Sequence, residues 1–230
     1  MLFFCMNSNI MAGRSKKKNK QEILDIYMDY VENHGVNISI EDFCSDTHVD
    51  KYNFYDYFDS AEHIESIVWE GLMIASIATV AKDELFDSLE TKDKLLSLYY
   101  TFFENCELNA DFLNQSIAGH SRLHLLKVFS LMKTAFTGFI LELNIISSCG
   151  IGKLEESIGK VTDRMSVEGF YAQLLFLLDF WHNDESIEKE KTDVAIEKAV
   201  KATMNLLDIT PVRSVFDFGK FMWQERFGKK

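Results

Sequence analysis

The chain has 230 residues, 47% hydrophobic and 26% charged, and its 24 Lys+Arg against 36 Asp+Glu give a formal net charge of −12. That length supports a full hydrophobic core without disulfides or metals, and the balance of apolar and charged residues excludes both wholesale disorder and a membrane bundle. One proline and eleven glycines are too few to punctuate a β-rich chain, so the expected fold class is all-α, built of long helices.

The N-terminal stretch MLFFCMNSNIM is apolar for only about six residues, and its positive charges follow the apolar run, the reverse of a signal peptide. Neither a signal nor a membrane anchor is expected. Met11 opens MAGRSKKKNK like a natural start, so residues 1–10 read either as a start-site extension or as a tail. Arg14, Lys16, Lys17, Lys18 and Lys20 then place five positive charges ahead of the first helix. The four cysteines, Cys5, Cys44, Cys106 and Cys149, contain no CxxC pair, which points to a reducing cytoplasm rather than a zinc ribbon or a disulfide framework.

Ile23, Ile26, Tyr27, Tyr30 and Val31 follow the i, i+3, i+4, i+7, i+8 stripe of an amphipathic helix, with Gly35 to end it. Ser39 and Asp50 are suited to cap two short helices, Ile40 to Asp46 and Lys51 to Tyr57. Ser60 can cap a long one through Ile64, Ile67, Val68 and Leu72 to about Ser88. The close pairing of the second and third helices is helix-turn-helix geometry.

Further helices are expected after Thr91, with an inward face of Leu95, Leu98, Tyr99, Phe102, Phe103 and Cys106, and after Asn109. From Ser121 one long helix is expected through Leu125, Phe129, Met132, Phe136, Phe139 and Leu143. SSCGIGK at 147–153 reads as a loop; its GIGK falls far short of a phosphate-binding loop. The segment from Phe170 to Trp181 is apolar nearly all round, so it requires cover on several sides, from the core or from another subunit. A helix over Val194 to Leu207 and, past the break at Pro211, an aromatic-rich last helix complete the chain.

Residues 39–64, SIEDFCSDTHVDKYNFYDYFDSAEHI, resemble the DNA-binding domain of the TetR family of transcriptional regulators. The pattern runs without a gap: a Ser cap, Phe43-Cys44, Val49 in the turn, Phe54-Tyr55, Tyr57-Phe58 and Ser60. The resemblance implies a basic N-terminal arm over 1–17, a helix-turn-helix domain over 18–66 and a helical ligand-binding and dimerisation domain over 67–230. It also implies a homodimer on palindromic double-stranded DNA, each third helix entering a major groove.

Carried over by position, Lys51, Tyr52 and Asn53 face base edges or phosphates, Asn53 being suited to a bidentate contact with adenine. The hydroxyls of Tyr55 and Tyr57 reach phosphates, as does Ser39, and Arg14, Lys16, Lys17 and Lys18 supply an arm toward the adjacent minor groove. Where family members usually have Gly, this chain has His48 and Tyr52. Residues 21–64 hold one Lys and eleven Asp+Glu, an acidic reading head that forfeits much of the usual phosphate affinity. The same charge motivates a second reading, in which this scaffold binds lipids or small molecules and no longer reads DNA.

For the larger domain the resemblance implies dimerisation through residues 164–183 and 188–207 and a pocket for a hydrophobic effector. Phe102, Phe103, Met132, Phe136, Phe139, Tyr171 and Phe176 are its candidate lining. His120 and His124 stand four apart but lack the HExxH pattern, so they are expected at a pocket rim or the surface, and no metal or cofactor is assigned. No catalytic constellation stands out among six histidines, so no enzyme is expected.

Overall fold

The computed structural model describes residues 17–143, 145 and 156–208. Within them the chain is all-α, with ten helices and no strand: α1 Lys20–His34, α2 Ile40–Thr47, α3 Lys51–Tyr55, α4 Ala61–Val80, α5 Thr91–Leu108, α6 Ala110–Ala118, α7 Arg122–Val128, α8 Ser130–Glu142, α9 Glu156–His182 and α10 Glu190–Asp208.

The helix starts follow from local chemistry. Asn19 and Glu22 close a capping box on α1, whose buried face is Ile23, Leu24, Tyr27, Tyr30 and Val31, so two orphan N–H groups are satisfied reciprocally. Ser39, Asp50 and Ser60 each accept from the backbone N–H three residues on, at the starts of α2, α3 and α4, as their capping chemistry predicts. Gly35 ends α1 at φ 73°. The three short helices close over Tyr27, Phe43, Phe54 and Phe58, joined by edge contacts of 5.5 Å from Tyr27 to Phe43 and 5.9 Å from Phe43 to Phe54.

The second half packs around α4, which lies against α5, α7 and α8, while α10 closes over α5 and α9. By length and composition α4 is apolar enough to cross a membrane, but its inward face, including Ile64, Val68, Trp69 and Met73, is buried in this core. All six expected inward residues of α5 are buried. In α9 the core covers Val167, Phe170, Tyr171, Leu174, Leu177, Leu178 and Trp181, so most of its all-round apolarity is satisfied within the chain.

Four expectations are corrected. Helix α3 stops at Tyr55, because the Tyr57 N–H bonds the Phe54 carbonyl in an i→i−3 contact that tightens the last turn. Helix α4 stops at Val80 and not near Ser88; the Asp83 side chain accepts the Leu85 N–H and a 3₁₀ turn follows over Phe86–Ser88. The single helix expected from Ser121 is two, α7 and α8, bent by 63° at Phe129. Helix α9 begins at Glu156, ahead of the expected start. The loop at 147–153, Arg14, Lys16, Pro211 and the last helix lie outside the described residues.

Candidate functional site

Helix α3 places the expected reading residues unequally. Tyr52 is 85% exposed and Tyr55 45%, whereas Asn53 is 4% exposed. Lys51 is exposed, hydrogen-bonded to the Glu41 carboxylate, and its ammonium stands 5.9 Å over the Tyr55 ring, a cation–π distance. The Glu41 carboxylate raises the Lys51 pKa. Tyr57 is half-buried, tilted against Phe58 at 6.2 Å. Ser39 caps α2 and donates to Asp42 Oδ2 at 2.7 Å.

The Asn53 side chain faces the segment that leads into α1. Its Oδ1 accepts the Lys18 N–H at 2.7 Å and its Nδ2 donates to the Lys18 carbonyl at 3.1 Å. The carboxamide is thus turned inward, with one donor and one acceptor engaged by the Lys18 main chain. Lys17 pairs with Asp56 at 2.8 Å, and the hydrogen bond to that carboxylate raises the Lys17 pKa. Lys18 Nζ donates to the His48 carbonyl at 3.4 Å. Asp50, Asp56 and Asp59 are all exposed, so the acidity evident in the sequence does lie on the outer surface of the head.

The seam between the head and the rest holds a polar cluster that the sequence did not suggest. Glu65 of α4 is 1% exposed. Its Oε2 accepts the Ser116 hydroxyl at 3.0 Å and lies 3.0 Å from His120 Nε2; the Tyr27 hydroxyl of α1 donates to Oε1 at 3.5 Å. Trp69 Nε1 donates to Ser116 at 3.2 Å. Burial raises the Glu65 pKa, and His120, Ser116 and His124 pull it back. The rings of His120 and His124 are 4.3 Å apart, His124 facing Glu62 at 3.4 Å, so both histidines answer carboxylates of α4. The phase of α4 carried a signal: Glu65 stands four residues before Trp69, on the buried face.

Six of the seven candidate pocket residues, Phe102, Phe103, Met132, Phe136, Phe139 and Tyr171, are buried side chains of the core. Phe102 meets Phe103 edge-on at 5.4 Å and Tyr99 stacks on Phe136 at 6.1 Å. Phe176 departs from the group, at 59% exposed. It lines an open, mainly apolar groove of about 390 Å³ with Ile117, Leu123, Leu126, Phe129 and Leu175, and Arg122 and Asp179 belong to the same lining. Leu123 and Leu126 are the signals missed in the sequence: they lie on the outer side of α7, away from the stripe that begins at Leu125. The groove volume falls within the range of small-molecule sites.

Residues 94–222, more than half of the chain, match the family model described as tetracyclin repressor-like, C-terminal domain. No curated protein matches the chain.

Proposed function

Since the chain belongs to the TetR family, on the strength of that C-terminal domain, and is a regulator of that type, we propose that it is a homodimeric, ligand-responsive DNA-binding repressor acting in the cytoplasm. The observation that carries the DNA reading is the surface of α3. Two exposed tyrosines and Lys51 stand together on a short helix held rigidly by the Asp50 cap and by Phe54 in the core, which suits phosphate and base-edge contacts in a major groove. The operator in this reading is a palindrome, matched to the two-fold axis of the dimer.

Helices α9 and α10 form the dimer face in this proposal. Phe180, Val194 and Ala195 border a depression of about 410 Å³ between them, and Val194 and Leu206 are exposed on α10. The effector is a hydrophobic small molecule seated in the groove beside α7. That helix supports the coupling: one side forms the groove wall, and His124 on it, with His120 just before it, faces Glu62 and Glu65 of α4. A ligand that binds one arrangement of α7 better than another shifts the head accordingly.

Competitive binding to duplexes from the gene's upstream region, across a salt series, tests the reading. Specific retention that weakens steeply with salt is expected. No retention even at low salt sinks it and favours the second reading, a lipid- or small-molecule-binding module, for which the exposed Asp50, Asp56 and Asp59 are the supporting observation.

A further inference from the structure

We propose that Asn53 and Asp56 dock the root of the basic arm onto α3, so that Lys17 and Lys18 are a fixed part of the surface presented to DNA. The inference rests on the DNA-binding reading above for its role, and on geometry alone for the docking. The Asn53 carboxamide acts as a substitute peptide group: it accepts from Lys18 N and donates to Lys18 O across 35 residues of sequence, while its own backbone N–H is held by Asp50 Oδ1 at 2.9 Å. Both ends of a buried amide are thereby satisfied by main chain, an arrangement that side-chain packing by itself does not require.

The neighbouring contacts run the length of α3. Lys18 Nζ reaches the turn before the helix at His48 O, Lys17 reaches Asp56 just after it, and Lys20 Nζ stands 6.0 Å over the Phe58 ring. Asn19 then starts α1 through its own capping box, so Lys18 is the main-chain anchor of this path and the side chains of Lys17 and Lys20 reach out on either side of it. The consequence is electrostatic. Asp56 would repel a phosphate approaching α3, and Lys17 held 2.8 Å away cancels that charge where it matters. A docked arm also meets DNA with its ordering cost already met, unlike a free basic tail. Asn53 is then a positioning residue, and the base contact inferred for it from sequence passes to its neighbours.

The test has a DNA-free and a DNA-bound readout on the full chain. In the unmodified chain the Lys18 amide is expected to exchange slowly with solvent and the Lys18–Asn19 bond to resist trypsin; exchange at the rate of an unprotected amide overturns the proposal without any variant. Asn53→Ala is expected to raise cleavage after Lys17 and Lys18 by about tenfold or more, whereas Tyr52→Ala leaves cleavage unchanged. On a duplex of arbitrary sequence, Asn53→Ala is expected to lower low-salt affinity about tenfold and to reduce the salt slope by about one, with no change in base preference. An Asn53→Ala protein that melts cooperatively yet keeps wild-type cleavage refutes the docking. A chain that protects Lys18 but binds no duplex overturns the DNA reading and the arm's role on DNA, while the docking stands.

Discussion

Glu65 shows what a single residue decides here. A carboxylate at 1% exposure survives only because a hydroxyl, an imidazole and a phenol are brought to it from α6, the α6–α7 turn and α1, since an unpaired buried charge is costly. Burial raises its pKa above the ordinary 4.5, so the folded chain holds that proton more tightly than the unfolded chain does. Its contribution to stability is therefore full below the ordinary value and is lost as pH rises through the raised one. Glu65→Gln cannot ionise. Its melting temperature is expected to gain on that of the wild type as pH rises above the ordinary carboxyl range and through the raised value; parallel melting curves at all pH values would refute this. Residue-scale legibility was uneven. The caps at Ser39, Asp50 and Ser60 were readable because capping is local. His48 was readable as a departure from Gly, and it does adopt the left-handed conformation at φ 55°, which Gly accepts without strain and His tolerates. The Asn53–Lys18 contact left no local signal, because its partners are 35 residues apart.

At the scale of elements, the stripe from Leu125 to Leu143 was correct in phase and wrong in continuity. Neither Pro nor Gly marks the bend at Phe129, so no local signal existed. The cause is tertiary: Phe129 meets Trp69 edge-on at 4.7 Å, and the 63° bend lets both α7 and α8 lie against α4. The end of α6 is equally constrained. A Cβ on Gly119 would stand 2.3 Å from Val36 Cγ2 and 2.9 Å from the Gln115 carbonyl, so α6 approaches the α1–α2 loop as closely as glycine allows. Gly119→Ala is expected to destabilise the chain by about 1–3 kcal/mol, the usual cost of overpacking, read as a lower urea midpoint with an unchanged slope. A midpoint equal to wild type would mean that this approach is slack. The early end of α4 was hidden for a related reason: Lys82, Asp83 and Glu84 are compatible with a helix, and the turn is closed by the Asp83 side chain.

For the whole molecule, the net charge of −12 divides into +5 over residues 14–20, −10 over 21–64 and −7 over the rest of the chain, and the proposed dimer face is tested on α10. Val194 is 47% exposed on α10, beside the α9–α10 depression. Val194→Glu is therefore expected to leave the monomer fold intact, by circular dichroism, and to convert a dimer into a monomer in sedimentation velocity, because it buries an unpaired charge only in the assembly. A dimer that persists in Val194→Glu at micromolar concentration would place the interface elsewhere. The open groove lies apart from most of the candidate lining for a reason of the same scale. Aromatic residues at helical spacing are either core or pocket lining, and the spacing is identical in both cases. Phe102, Met132 and Phe136 became core, and the open groove formed where Leu123, Leu126 and Phe176 were left without cover.

By itself the sequence determined the all-α class, the inward stripes of α1, α5 and α8, the caps of α2, α3 and α4 and the uneven charge, because each depends on residues within a turn or two of one another. Only the tertiary structure decided that Asn53 holds the arm, that Glu65 joins head to body, that the helix after Ser121 bends at Phe129 and that the groove opens beside α7. Each of these depends on which groups distant in the chain meet, and burial, pairing and bending are settled by those meetings.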